Sequence, residues 1–168
     1  MHPDYFCLES WTPHTRNRSD SFPLTVVFLY DDMHSAMRAM RTLERLGGRL
    51  EGRMHAQIKP LLVEHLHDSF CYYHSLEDAR DADIVVISIN DTGKLPSIVK
   101  SWIDDFAAQK HDGECAMVAL LGTEDETDDF ESSRLNYLRA AARSAGADFF
   151  APEPDGKIPA LESFAPAG

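Results

Sequence analysis

The chain has 168 residues, enough for one domain with a single hydrophobic core. It is 43% hydrophobic and 26% charged, a composition typical of globular proteins and not of disordered or membrane-spanning ones. Sixteen Lys and Arg against 28 Asp and Glu give a formal net charge of −12, which argues against general binding to nucleic acid or to an anionic membrane.

Cysteine usage and the N-terminal sequence predict a cytoplasmic protein. Cys7, Cys71 and Cys115 are widely spaced and odd in number, which argues against a secreted disulfide framework. The longest apolar runs are too short to span a bilayer, and the N-terminal residues include prolines and charges where a signal segment is apolar.

The distribution of proline predicts the domain limits. Seven of the nine prolines lie outside residues 24–151. We therefore predict an N-terminal extension over residues 1–23, one domain over 24–151 and an irregular C-terminal tail over 152–168.

Within the predicted domain, apolar strand patterns alternate with helical periodicity. The predicted strands cover residues 24–30, 55–63, 83–89, 115–122 and 147–151, and the predicted helices cover 34–46, 75–82, 95–109 and 132–146. Gly47 and Gly48 are expected to end the first helix, and Ser75 is expected to cap the second. Pro60 predicts an edge position for the second strand, because proline cannot donate a ladder hydrogen bond.

This alternation predicts a parallel sheet covered by helices on both faces. Right-handed crossovers favour a three-layer, doubly wound α/β fold whose five strands have the order 2-1-3-4-5. Met37, Met40, Leu43 and Leu46 are expected to form one apolar stripe of the first helix, which faces the sheet. The last helix is expected to lie beside the first, on the same face of the sheet.

In such a sheet, ligands bind beyond the carboxyl ends of the strands, near the switch point between the first and third strands. The residues expected at the rim of this pocket follow three strands. They are Asp31, Asp32 and His34 after the first strand, Asn90, Asp91, Thr92 and Gly93 after the third, and Thr123 after the fourth.

The segment ADIVVISINDTGKLPSIVKSWIDDF, residues 82–106, resembles the third strand, flavin loop and following helix of NADPH-dependent FMN reductase-type flavoproteins, which belong to the flavodoxin-like superfamily. Gly93, Leu95, Pro96, Lys100 and Asp104 match that family's pattern. The resemblance covers most of residues 24–150 and extends to uncharacterised bacterial proteins. It implies a flavodoxin-like fold with an FMN site at the predicted rim.

The chain departs from that family where the flavin phosphate is bound. Such flavoproteins use a loop rich in Ser, Thr and Gly, because amides and hydroxyls at a helix N-terminus suit a dianion. Here Asp31 and Asp32 follow the first strand, and no glycine occurs between residues 24 and 46. The sequence therefore predicts a non-catalytic binding or regulatory module whose flavin site has eroded. An FMN-dependent NAD(P)H oxidoreductase is the alternative.

A second resemblance is to response-regulator receiver domains, which share this topology. Asp31, Asp32, Asp91 and Thr123 match the acidic pair, the acceptor Asp and the Thr of that family. The implied function is Mg²⁺-dependent phosphoacceptor signalling, with Mg²⁺ bound by Asp31, Asp32 and Asp91. The lysine expected after the fifth strand is absent from this chain, which has Ala, Pro and Glu at 151–153.

The first predicted helix carries a row of arginines. Arg38, Arg41, Arg45 and Arg49 have spacings that place them on one face, and Arg134, Arg139 and Arg143 of the last helix are expected to extend the row. On an acidic protein, such a basic face predicts a surface for an acidic protein partner or a second copy. The alternative is a solvated face paired with Glu44 and Glu51.

Overall fold

The structure, a computed structural model, describes residues 22–49, 54–90, 94–110, 114–122 and 129–151. The strands are β1 (Phe22–Tyr30), β2 (Met54–Leu62), β3 (Ile84–Ile89), β4 (Ala116–Leu121) and β5 (Asp148–Phe150). The helices are α1 (Met33–Arg49), α2 (Ser69–Arg80), α3 (Ser97–Gln109) and α4 (Asp129–Ala145), and a 3₁₀ turn over Val63–His67 precedes α2.

The strands form one parallel sheet in the order β2-β1-β3-β4-β5, which confirms the predicted doubly wound topology. In its register, Tyr30 of β1 pairs with Ser88 of β3, and Ile89 of β3 pairs with Leu121 of β4. Because all strands are parallel, β1, β3 and β4 end at the same edge of the sheet. We refer to this edge as the carboxyl edge.

Helices cover both faces of the sheet because its central strands are apolar on both sides. On one face, α2, α3 and α4 enclose a core that includes the fully buried Trp102, Ile103 and Leu138. On the other face, Ala39 of α1 packs in a second cluster with Phe28. Within the described ranges, no helix combines the length and the apolar character needed to cross a bilayer.

The predicted position of the last helix is wrong. The chain steps from β3 to β4 and from β4 to β5 in the same direction, so right-handed crossovers put α3 and α4 on the same face, opposite α1. The arginines of α4 therefore do not extend the row on α1. Arg134 is buried and donates to the carbonyl of Gly122 at 3.2 Å, and Arg139 lies over the ring of Phe149.

The predicted inward face of α1 is partly wrong as well. Met40 and Leu43 pack against the second cluster as expected, together with Ala36. Met37 points away from the sheet and is 46% exposed. The side chain of Leu46 lies outside the described residues. Small alanines at positions 36 and 39 bring the helix close to the sheet and occupy the inward positions instead.

Two helix boundaries also differ from the prediction. α1 continues through Gly47 and Gly48 to Arg49. α2 begins at Ser69, well before Ser75, and is capped by Asp68, whose side chain accepts the amide of Cys71 at 2.9 Å. Ser75 is instead buried within α2, where its hydroxyl accepts the indole N–H of Trp102 at 2.9 Å.

Parts of the predicted domain division lie outside the described residues. These parts are residues 1–21 of the extension and the whole tail, 152–168. The division into extension, domain and tail stays a prediction.

Candidate functional site

The turn between β1 and α1 is closed by a reciprocal helix cap. The carboxylate of Asp32 accepts the amide of Ser35 at 2.8 Å, and the hydroxyl of Ser35 accepts the amides of Asp31 and Asp32, both at 3.1 Å. The same hydroxyl donates to the carbonyl of Asp32 at 2.8 Å. This arrangement is a capping box in which Ser occupies the usual position of Glu. The three amides of Asp31, Asp32 and Ser35 thus all have partners within the turn.

Asn90, directly after β3, connects this turn to α1. Its backbone amide donates to both carboxylate oxygens of Asp31, at 2.9 and 3.0 Å, and its side-chain amide donates to Asp32 at 3.0 Å. Its side-chain oxygen accepts from the guanidinium of Arg38 at 3.1 Å. We refer to Asp31, Asp32, Ser35, Arg38 and Asn90 as the carboxylate network.

The end of β4 packs tightly against the end of β3. The amide of Gly122 donates to the carbonyl of Ile89 at 2.7 Å. A Cβ atom at position 122 would clash with the backbone carbonyl of Asn90. The close approach of the two strand ends therefore requires glycine here. As a result, the end of β4 lies directly against Asn90 of the carboxylate network.

Hydrogen bonds keep the side chain of Asp32 in its charged carboxylate form. The amide of Ser35 holds the pKa of Asp32 below its ordinary value, and the side chains of Asn90 and Ser35 and the charge of His34 act in the same direction against partial burial. Burial raises the pKa of Tyr30 above its ordinary value. At neutral pH, Asp32 is therefore a carboxylate and Tyr30 a neutral phenol.

The structure describes four of the eight residues predicted at the rim: Asp31, Asp32, His34 and Asn90. Three of these belong to the carboxylate network, whereas His34 is exposed on the outer side of α1. The other four, Asp91, Thr92, Gly93 and Thr123, lie outside the described residues. Their roles in binding FMN, and Mg²⁺ ligation by Asp31, Asp32 and Asp91, stay predictions. Among the described residues, no group of three or more His, Cys, Asp or Glu is arranged to hold a metal ion.

The sequence patterns do not predict the roles of Ser35, Ser88 and Arg38 at this site. The spacing of Asp32 and Ser35 is the signal that a capping-box search finds. Ser88 is a polar residue in an apolar strand, and its buried hydroxyl donates to the carbonyl of Ser35 at 2.7 Å. No sequence pattern reveals that partner. Arg38 is predicted only as a partner-binding residue, but it also reaches Asn90 across the site.

The arginine row of α1 faces solvent. Arg41 and Arg45 are exposed and Arg38 is half-buried, whereas the side chain of Arg49 lies outside the described residues. The three described arginines, with His34, Met37 and Thr42, line a shallow cavity of about 230 Å³. None of the three forms an ion pair with any carboxylate that the structure describes, Glu44 included.

No protein-family model matches the chain, and no curated protein matches it. Among solved structures, it is similar to a short-chain flavodoxin associated with a non-canonical PDU bacterial microcompartment. The TM-score is 0.54 at 15% sequence identity, and the match covers 75% of this chain and 78% of that chain. At this identity the similarity shows the fold alone, and that fold is flavodoxin-like, as predicted.

Proposed function

We propose that this flavodoxin-like chain is a non-catalytic binding or regulatory module that works without a flavin. The observation that supports the proposal is the carboxylate network at the N-terminus of α1. The carboxylate of Asp32 accepts the backbone amide of Ser35 at the N-terminus of α1. In a flavin-binding protein of this fold, backbone amides at this position would bind the phosphate. The chain thus supplies its own anion at this position.

A flavin phosphate does not fit this set of donors. The Ser35 hydroxyl already accepts two hydrogen bonds and donates one, which is its full capacity. A phosphate near Asp31 and Asp32 would also meet two carboxylates. At an effective dielectric constant near 20, each like-charge pair about 4 Å apart costs on the order of 4 kcal/mol.

The FMN-dependent NAD(P)H oxidoreductase is the alternative against which the proposal is tested. It follows from the resemblance to FMN reductase-type flavoproteins, which stays a prediction together with bacterial relatives and a cytoplasmic location. The reductase needs free amides and hydroxyls at the start of α1, and the carboxylate network engages three of those amides.

Mg²⁺-dependent phosphoacceptor signalling has less support. Both oxygens of Asp31 accept the amide of Asn90, and the two oxygens of Asp32 accept from Ser35 and Asn90. A cation would have to compete with these protein donors for the same oxygens. Incubation with Mg²⁺ and acetyl phosphate, followed by intact-mass measurement, is expected to leave the mass unchanged. Addition of one phosphoryl group that is lost in Asp91→Asn would support this alternative instead.

Titration of the purified chain into FMN, followed by flavin fluorescence, tests the proposal. We expect no quenching and no co-elution of flavin with the protein. Quenching that saturates at one FMN per chain would overturn the proposal in favour of the oxidoreductase. Asp32→Ser provides the second arm, because serine keeps a capping oxygen without the charge. We expect this variant to bind FMN more tightly than the unmodified chain, and equal affinity would contradict the role given to the carboxylate.

A further inference from the structure

The outward face of α1 combines exposed apolar and basic side chains. Met33 is 71% exposed and Met37 is 46% exposed, and they are two of the four large hydrophobic residues that stand out as exposed in the described ranges. Arg41 and Arg45 are exposed on the same helix. We refer to Met33, His34, Met37, Arg38, Arg41 and Arg45 as the α1 surface.

The arginines of the α1 surface have no carboxylate within ion-pair distance among the described residues. Arg38, Arg41 and Arg45 form no ion pair there, although the whole chain carries a formal charge of −12. Their spacing spans seven residues of helix, or about 10 Å. The bond from Arg38 to Asn90 fixes one end of this row at the carboxyl edge. The α1 surface is thus a basic strip on an acidic protein.

We propose that the α1 surface docks an acidic, amphipathic segment of a protein partner. This inference rests on the proposed function, since it names the class of partner that the binding module recognises. Carboxylates of the partner pair with the guanidinium groups of Arg41 and Arg45, whose fork geometry suits carboxylates. An apolar side chain of the partner contacts Met37, because the flexible thioether adapts to varied apolar shapes.

Charge and composition favour a protein partner over other anions. A nucleic acid or an anionic membrane presents an extended array of negative charge. The chain's net charge of −12 repels such an array. A short acidic segment meets only the local positive charge. The exposed methionines next to the arginines also require apolar groups in the partner, which a phosphate backbone lacks.

The test uses a synthetic fluorescent peptide that carries Glu residues one helical turn apart and Leu residues on the same face. Fluorescence anisotropy measures its binding to the full chain. The matched control peptide has Gln in place of each Glu. We expect the Glu peptide to bind at low ionic strength, to weaken as salt is added, and to bind at least about tenfold more tightly than the Gln peptide.

Two matched double variants locate the site. Arg41→Glu with Arg45→Glu reverses the charge of the α1 surface, and Arg80→Glu with Arg143→Glu makes the same change in net charge at exposed positions on the opposite face. We expect the first pair to weaken peptide binding at least about tenfold and the second pair less than about twofold. Met37→Ser is expected to weaken binding severalfold while the salt dependence persists.

Equal binding of the Glu peptide to both double variants would overturn the inference, as would equal binding of the Glu and Gln peptides. Tighter binding of a DNA duplex than of the Glu peptide would overturn it in favour of a general polyanion site. FMN titration of the same protein sample separates this inference from the proposed function. FMN uptake overturns the proposed function, whereas failure of the peptide to bind without FMN uptake overturns the docking inference alone.

Discussion

Replacement of Ser35 by alanine removes the atom that closes the turn between β1 and α1. The Ser35 hydroxyl accepts the amides of Asp31 and Asp32 and donates to the carbonyl of Asp32. The side chain is fully buried, so water cannot take its place without a rearrangement of the turn. The variant keeps the backbone amide of residue 35, and therefore keeps its bond to the Asp32 carboxylate.

The cost follows from the amides that lose this acceptor. A buried donor left without a partner costs about 1–3 kcal/mol, and the lower end applies here because the amides of Asp31 and Asp32 are only partly buried. With two such amides, we expect the free energy of unfolding to fall by about 2 to 3 kcal/mol. This loss is a large fraction of the free energy of unfolding of a typical domain, which is roughly 5–15 kcal/mol.

Urea unfolding measures this change, with far-UV circular dichroism and tryptophan fluorescence as signals; the chain has two tryptophans, of which Trp102 is buried. Ser101→Ala, on the exposed side of α3, is the matched control and is expected to change stability by less than about 0.5 kcal/mol. A loss of stability in Ser35→Ala no larger than in Ser101→Ala would refute the claim that this hydroxyl closes the turn.

Three further predictions concern the carboxyl edge and the helical layer. Gly122→Ala should lower the free energy of unfolding by about 1–3 kcal/mol, measured by urea unfolding, because the new Cβ clashes with the Asn90 carbonyl. An unchanged urea midpoint would contradict the close approach of the two strand ends. Because its pKa is lowered in the folded state, the Asp32 carboxylate stabilises the fold above about pH 4, and this stabilisation is lost as the pH falls further. Between about pH 5 and pH 3, the free energy of unfolding should therefore fall less in Asp32→Asn than in the unmodified chain. Burial and the hydrogen bond to Asp104 raise the pKa of Tyr137. In an absorbance titration with base, fewer tyrosines should therefore ionise at the highest pH values in Tyr137→Phe than in the unmodified chain; identical titration curves at high pH would contradict this.

The sheet is predictable from the sequence because its strands are apolar on both faces. Runs such as 24–30 and 83–89 have no other stable location than the centre of a covered parallel sheet, and Pro60 marks the strand that lies at the edge. The start of α2 is not predictable in the same way. Phe70 and Tyr73 are exposed aromatic residues in its first turns, so the stretch lacks the apolar periodicity that indicates a helix.

The location of the site is predictable, but its internal connections are not. The rule for parallel sheets places Asp31, Asp32 and Asn90 at one edge from their positions after β1 and β3. The bonds of Asn90 to both aspartates depend on the register that pairs Tyr30 with Ser88, which no composition or spacing encodes. The face of α4 is predictable as well: in the strand order 2-1-3-4-5, a right-handed crossover from β4 to β5 already places α4 opposite α1, so the expected position beside α1 did not follow from the predicted topology.

The visible absorption spectrum of the chain, purified natively from cells and again after incubation with excess FMN and gel filtration, tests the central claim most directly. If the carboxylates of Asp31 and Asp32 exclude the flavin phosphate, both samples are colourless in the flavin region. A flavin spectrum that corresponds to one FMN per chain in either sample would contradict the claim.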